Sequence, residues 1–257
     1  MEAPISTIPL KYNRWLPYWA VFQMDMRQTV RSWPFRVWIL AALLLSFGFL
    51  THRWAIHQQA GIVQSAYALM SEIIRFAVLA GTTIVIVFTA GTISSERGTM
   101  ADSVLSRGIS RHQYFLGKLH ARLVMIIGSF LILGVLVLTA SSILLQYDVS
   151  IFGTLRALLV TAAVFAIVVS AGVTISSLCN STVLGIALLW MGVYGGGVAL
   201  WFLEAGEFNP QRLNRMLPAL LGGQYDFLVQ VRLIGWCLLI SVGASLVGLV
   251  HFARRDI

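Results

Sequence analysis

Residues 157–203, "ALLVTAAVFAIVVSAGVTISSLCNSTVLGIALLWMGVYGGGVALWFL", decide the fold, because these 47 residues contain no Asp, Glu, Lys or Arg. A helix rises about 1.5 Å per residue, so about 20 apolar residues cross the roughly 30 Å hydrocarbon core of a bilayer. The stretch is therefore too long for one crossing. Its most polar point, residues 179–182, predicts a break between two consecutive transmembrane helices.

Further runs of about 20 residues, with Arg53 as their one charged residue, occur on both sides of this stretch. The chain has 257 residues, 58% of them hydrophobic and only 11% charged, against roughly 25% charged in an average soluble domain. We expect an all-α integral membrane protein that forms a single transmembrane domain, residues 1–257. The predicted spans are residues 37–56, 76–94, 123–146, 157–178, 183–203 and 233–252.

The distribution of basic residues predicts the orientation in the membrane. Six spans place both termini on one side. With the N-terminus inside, twelve of the eighteen Lys and Arg residues lie on the inner side, which favours cytoplasmic N- and C-termini. The net charge of +8 is then explained by topology and anionic lipid rather than by a nucleic-acid partner.

The segment before the first span, residues 12–34, is predicted to be an amphipathic helix lying in the inner membrane interface. Trp15, Trp19, Phe22, Met26 and Trp33 recur at helical spacing. Basic and polar residues, with the carboxylate at position 25 among them, fill most of the other face. A proline at position 34 is expected to end this helix. The alternative is a solvated helix. We expect no removable signal peptide, because the segment lacks a continuous apolar core.

A polar island interrupts the apolar pattern at residues 95–118, "SERGTMADSVLSRGISRHQYFLGK". Thr99 followed by Asp102 resembles a capping box that opens a short helix, which Gly108 would close. Ser110 followed by Gln113 is a second capping box, opening a helix that runs into the third span. The loop of residues 96–122 is longer than a simple connection needs. It is therefore predicted to dock a partner, the alternative being a solvated connection.

Two further segments carry weaker signals. Gly192 and Gly196 have the spacing that lets membrane helices approach closely. They predict either a dimer seam or a kink against a neighbouring span of the same chain. Residues 204–231 form the longest outer segment, which either dips back into the membrane as a re-entrant hairpin or lies on its surface.

Several kinds of chemistry are not expected from this sequence. The sequence has no phosphate-binding loop of the form GxxxxGK followed by Ser or Thr. Lys118 is followed by Leu119, and His112 stands where the first glycine of that motif would be. Cys179 and Cys237 fall near opposite ends of their spans, so we expect neither a disulfide nor a metal site. No carboxylate lies near mid-depth in a span, which disfavours an ion-coupled transporter. We expect a chain that is not an enzyme and binds no cofactor.

Residues 94–122, "SSERGTMADSVLSRGISRHQYFLGKLHAR", resemble the cytoplasmic loop of ABC-2 type permeases, the type V-like membrane subunits of ATP-binding-cassette exporters. That family has a Glu-Arg-x-Gly-Thr-like start, an "L-L-S-x-P-x-S-R" stretch and a "Y-x-x-G-K" close. A glycine at position 108 stands where the family often has proline. The matching positions are Glu96, Gly98, Thr99, Leu105, Ser106, Ser110, Arg111, Tyr114, Gly117 and Lys118.

The resemblance implies a coupling helix that sits in a cleft of a separate cytoplasmic ATPase. The docking residues would be Glu96, Gly98, Thr99, Met100, Asp102, Val104, Leu105, Arg107, Arg111, Tyr114 and Lys118. A second contact would involve Cys179, Asn180, Ser181 and Thr182.

The resemblance also implies an assembly of two permease copies or paralogues with an ATPase dimer, which would bind the ATP and Mg²⁺, in a bacterial inner membrane. Similar permeases export lipids, polysaccharides, peptides or drugs, and some transmit force to an extracytoplasmic partner. The competing interpretations are a membrane scaffold and an intramembrane enzyme that share only the six spans.

Overall fold

The computed structural model of the chain describes residues 15–60, 65–96, 109–145, 148–203, 210–223 and 226–254. These residues are almost entirely helical. Six helices are long and apolar enough to cross a membrane, and we number them as the first to sixth spans: Trp33–Gln59, Ala66–Glu96, Arg111–Leu144, Ile151–Leu178, Thr182–Phe202 and Phe227–Arg254. For the described residues, two predictions are confirmed: the chain is all-α, and six of its helices are long and apolar enough to cross a membrane.

Five of the six helices extend several residues beyond the apolar runs that predicted them. The third span begins at Arg111 rather than at residue 123, and the sixth ends at Arg254. A search for charge-free residues stops at the first Lys or Arg, whereas a helix continues into the membrane interface. The start of the third span is set by Ser110, which forms the predicted capping box with Gln113.

The fourth span lies at the centre of the helix bundle. Within its most apolar window 72% of the residues are buried, against 11–33% in the other spans. Small residues line it, so neighbouring helices can approach closely. Gly172 is one example, because an added Cβ would collide with Thr89 of the second span.

Hydroxyl groups join the fourth span to the sixth. Ser170 and Ser241 hydroxyls lie 2.6 Å apart, and Ser241 also donates to the Ala166 carbonyl at 3.2 Å. Thr174 donates to the Ala244 carbonyl at 2.8 Å. Since hydrocarbon offers no hydrophobic drive for two helices to associate, such bonds and close packing hold the pair together.

The uncharged stretch breaks where the sequence predicted. The fourth span ends at Leu178, Cys179 is extended, and Ser181 is the N-cap residue of the next helix. The fifth span begins at Thr182.

The second and fifth spans each contain one π-helical turn. In the second span the turn is Ala77–Gly81, between helices Ala66–Phe76 and Thr82–Ala90. In the fifth it is Met191–Gly195, between Thr182–Trp190 and Gly196–Phe202. Gly192 and Gly195 lie within this second π turn, and Gly196 follows it.

The N-terminal helix Leu16–Arg31 precedes the first span. Ser32 is extended between the two helices, and Pro34 falls in the first turn of the next helix. A proline costs no hydrogen bond there, so it starts the first span as well as ending the previous helix.

The segment between the fifth and sixth spans, predicted to lie on the outer side, contains one described helix, Pro210–Leu221. It buries Met216, Leu217, Leu220 and Leu221 in the core cluster that includes Leu69 and Val149. The Leu221 carbonyl accepts a bond of 3.0 Å from the Ser150 amide. The helix therefore lies across the starts of the second and fourth spans, and no hairpin is formed within residues 210–223.

Candidate functional site at the charged end of the bundle

One face of the third span carries three polar side chains near its start. Tyr114, Lys118 and Arg122 are spaced four residues apart, so they project from the same side of the helix. Opposite them lie Asp25 of the N-terminal helix and Glu96, the last residue of the second span. We call Asp25, Glu96, Lys118 and Arg122, together with Tyr114, the charge cluster.

Lys118 is the centre of the charge cluster. Its Nζ donates to Glu96 Oε1 at 2.7 Å, to the Thr92 carbonyl at 3.1 Å and to Asp25 Oδ1 at 3.3 Å. An ammonium group has three N–H donors. All three are therefore used, and each acceptor belongs to a segment outside the third span.

The two carboxylates have further partners. Tyr114 Oη donates to Glu96 Oε2 at 2.7 Å, so both Glu96 oxygens accept a bond from the third span. Arg122 Nη2 donates to Asp25 Oδ1 at 3.3 Å. Arg122 Nε lies 3.1 Å from Asp25 Oδ2, at ion-pair distance but without hydrogen-bond geometry.

The charge cluster is buried. The side chains of Lys118 and Asp25 are 4% and 2% exposed, and those of Glu96 and Arg122 are 13% and 14% exposed. A buried charge is costly unless it is paired and hydrogen-bonded. Two carboxylates and two cations balance here, so the arrangement is held while it is complete and becomes unfavourable when any one charge is removed.

The N-terminal helix packs closely on the third span beside the charge cluster. A Cβ added at Gly117 would lie 2.9 Å from Val21 Cγ1 and 3.3 Å from the Tyr18 carbonyl oxygen. Burial raises the pKa of Tyr18, and its hydroxyl lies 3.0 Å from His120 Nδ1. The helix thus buries Val21 and Asp25 while Trp19 stays 53% exposed.

A small pocket opens beside the cluster, with a volume of about 20 Å³, enough for roughly one water molecule. Val21, Met24 and Gln28 of the N-terminal helix line it with four members of the charge cluster: Asp25, Glu96, Tyr114 and Lys118. Its polar groups join the N-terminal helix, the second span and the third span.

The predicted second contact lies close to the base of the island. The hydroxyls of Thr182 and Ser94 are 3.0 Å apart. Ser176 of the fourth span accepts bonds from the amides of Ile93 and Ser94 at 2.8 and 3.0 Å, which satisfies backbone donors where the second span ends. The 179–182 connection and Glu96 are therefore at the same end of the bundle.

The end of the sixth span joins this region. Arg111 Nη1 donates to the Ala253 carbonyl at 3.4 Å, and the rings of Tyr114 and Phe252 stack with centroids 6.0 Å apart. The N-terminal helix, the start of the third span, the 179–182 connection and the end of the sixth span thus meet at one end, as an even number of spans requires.

The structure brings together some of the predicted docking residues. Glu96, Tyr114 and Lys118 contact one another, and Arg111 lies at the start of the same helix. The predicted docking positions between residues 98 and 107 lie outside the described residues. In the second predicted contact Cys179 is buried, Asn180 and Ser181 are exposed, and Thr182 is half-buried.

Gly192 and Gly196 make no close contact with the residues that the structure describes. A Cβ added at either position would meet no atom within 4 Å. Their face of the fifth span is therefore open within the described part of the chain, and the choice between a dimer seam and a kink stays a prediction.

Sequence reasoning missed Asp25 and Arg122 as members of the site. Asp25 was assigned to the polar face of the N-terminal helix, yet it is buried against the third span. A usable signal existed, because Asp25 is the only acidic residue between Glu2 and Glu72. An isolated acid in a strongly basic segment indicates a specific cationic partner.

Among the described residues, no three His, Cys, Asp or Glu side chains are grouped as metal ligands would be. Comparison with known protein families and with characterised proteins finds no match to this chain.

Proposed function

We propose that this chain is the permease subunit of an ABC-2 type, type V-like transporter. It would couple ATP hydrolysis by a separate cytoplasmic ATPase to export of a substrate or to conformational signalling across the membrane. The proposal begins from the resemblance of residues 94–122 to the loop of that family. The observation that carries it furthest is the buried charge cluster at the base of that loop.

The charge cluster ties the start of the island to two other elements. Glu96 is the second residue of the island and the last one that the structure describes before residue 109, and its carboxylate accepts from Lys118 and Tyr114 of the third span. Lys118 also donates to Asp25 of the N-terminal helix. Because separating buried ion pairs is costly, a displacement of the island would move these three elements together. A loop that only connected two spans would need no such attachment.

The second contact completes a surface suited to an ATPase. Thr182 is bonded to Ser94, which is two residues before Glu96. A partner resting on the island would therefore lie near the exposed Asn180 and Ser181. Force from one partner could then reach the second, third, fourth and fifth spans at one end of the bundle.

The proposed assembly has two copies of this chain or of paralogues, with an ATPase dimer that binds ATP and Mg²⁺. The open glycine face of the fifth span supports a seam with the second copy. The location is a bacterial inner membrane with cytoplasmic termini, on the charge asymmetry already described. If the chain transmits force rather than a substrate, an extracytoplasmic partner would receive that force.

Co-purification tests this function. The tagged chain, isolated from its native membranes, should retain an ATPase with a phosphate-binding loop in a near one-to-one ratio. The double variant Val104→Asp/Leu105→Asp should lose it, because it removes the apolar side chains predicted to dock. The double variant Ala101→Asp/Ser103→Asp adds the same charge while sparing those side chains, and it should retain more of the ATPase.

The competing interpretations give different results in the same experiment. A scaffold would purify without an ATPase and be indifferent to both double variants. An intramembrane enzyme would show the same indifference together with an activity in the isolated chain. Either result would reject the proposed function.

A further inference from the structure

The π turns of the second and fifth spans are joined by one side chain. Tyr194 belongs to the π turn Met191–Gly195, and its hydroxyl donates to the Leu79 carbonyl at 2.6 Å. Leu79 is the central residue of the other π turn, Ala77–Gly81. The two irregular turns are therefore in direct contact.

A threonine completes the connection. Thr83 Oγ1 lies 2.7 Å from Tyr194 Oη. The tyrosine hydroxyl has one proton, which it gives to Leu79, so Thr83 is the donor in the second bond. The neighbouring Thr82 hydroxyl donates to the Val78 carbonyl. Side-chain hydroxyls thus bond two successive carbonyls of the π turn in the second span.

These bonds matter because of where they lie. Leu79 and Tyr194 are both near the middle of their spans, Ala66–Glu96 and Thr182–Phe202. Hydrocarbon supplies no water to hydrogen-bond a carbonyl that a widened turn exposes. Tyr194 supplies such a bond to the Leu79 carbonyl from outside the second span, which favours the π conformation over a regular helix.

A π turn holds one residue more than an α turn, and this makes it a two-state element. Conversion to regular helix would rotate one half of a span against the other by about 100°, the angle of one helical residue. Neither turn contains proline. The small residues Ala77, Ala80 and Gly81 have little side chain to obstruct such a rotation. Packed helices tend to switch between discrete arrangements of this kind.

We propose that Tyr194 latches the paired π turns of the second and fifth spans, so that both spans keep or lose the π conformation together. With the latch closed, the outer halves of both spans hold a fixed rotation relative to the charged end. Opening the latch frees both turns at once. The paired π turns involve residues of this chain alone. The inference about them therefore holds whether or not an ATPase docks on the island.

Hydrogen exchange measured by mass spectrometry tests the latch in the full chain purified in detergent micelles. Tyr194→Phe removes the hydroxyl and keeps the ring, whose centroid is 5.0 Å from that of Trp190. Exchange should rise about five- to tenfold in peptides covering both residues 77–83 and residues 190–196, on the usual strength of interhelical bonds in membranes. Tyr67→Phe, a matched change elsewhere in the second span, should leave both peptides unchanged.

A second variant keeps the test decisive if Tyr194→Phe does not fold. Thr83→Val removes the other hydroxyl with little change in shape, and it should raise exchange in both peptides by a smaller factor. Unchanged exchange in the residue 77–83 peptide, or a rise confined to residues 190–196, would overturn the latch. An equal rise in Tyr67→Phe would also overturn it, because the effect would then be general loosening.

Discussion

The Lys118 ammonium lies 2.7 Å from the Glu96 carboxylate and joins the third span to the residue at which the second span ends. Because Lys118 also reaches Asp25, the same amine holds the N-terminal helix. Lys118 therefore bonds both the second span and the N-terminal helix, and its removal is the most informative single change.

Lys118→Met should destabilise the folded chain by roughly 3 kcal/mol or more, because it leaves buried carboxylates without their cation. Thermal or denaturant unfolding in micelles measures the loss. The double variant Lys118→Met/Glu96→Gln should be less destabilised than the sum of its single variants, since the second change removes the unpaired charge. Additive losses would show that Lys118 and Glu96 are not coupled.

Gly117→Val should displace the N-terminal helix, since the new side chain meets Val21 and the Tyr18 backbone. Limited proteolysis within residues 16–31 should become faster. Adding Val21→Ala should restore part of the protection by making room. The control is Gly128→Val on the same span, where a Cβ meets nothing within 4 Å. Equal protection in Gly117→Val and this control would contradict the packing described.

Ser241→Ala should weaken the association of the fourth and sixth spans by about 1 kcal/mol, the usual scale for an interhelical bond in a membrane. It removes the bonds to Ser170 and to the Ala166 carbonyl. Ser245→Ala is the matched control, because Ser245 donates to the Ser241 carbonyl within its own helix. Equal unfolding free energies in the two variants would argue against a stabilising role for the Ser241 bonds between the fourth and sixth spans.

Gly196→Leu should leave the single chain folded, since the added side chain enters open space, and it should weaken a dimer whose seam uses that face. Cross-linking and size analysis in mild detergent report the dimer. Gly235→Leu on the sixth span also adds a side chain that enters open space, and it should leave the dimer intact. A dimer unaffected by Gly196→Leu would place the seam elsewhere.

Local patterns in the sequence predicted much of the fold. Charge-free length predicted six helices, the polar residues 179–182 predicted the break before Thr182, and Ser110 with Gln113 predicted the start of the third span. These features depend on residues close together in the chain. The π turns were not predicted, because their stabilising bonds come from Tyr194, which is more than a hundred residues from Leu79.

The candidate site was predicted only in part, for the same physical reason. The resemblance singled out Glu96, Tyr114 and Lys118, which the structure places together. Asp25 was assigned to a polar face because helical periodicity distinguishes apolar from polar sides and does not show which polar residue meets a buried cation. The burial of Asp25 depends on Gly117 letting the N-terminal helix approach, and Asp25 meets Lys118 across 93 residues of sequence.

Photo-cross-linking in native membranes tests the central claim most directly. A photoreactive amino acid at Leu105, in the predicted docking helix, should form a covalent adduct with an ATPase that carries a phosphate-binding loop, identified by mass spectrometry. The same amino acid at Phe227, on the predicted outer side, should not capture that ATPase. Adducts of Leu105 only with lipid or with this chain itself would contradict the account, and so would capture of the ATPase from Phe227.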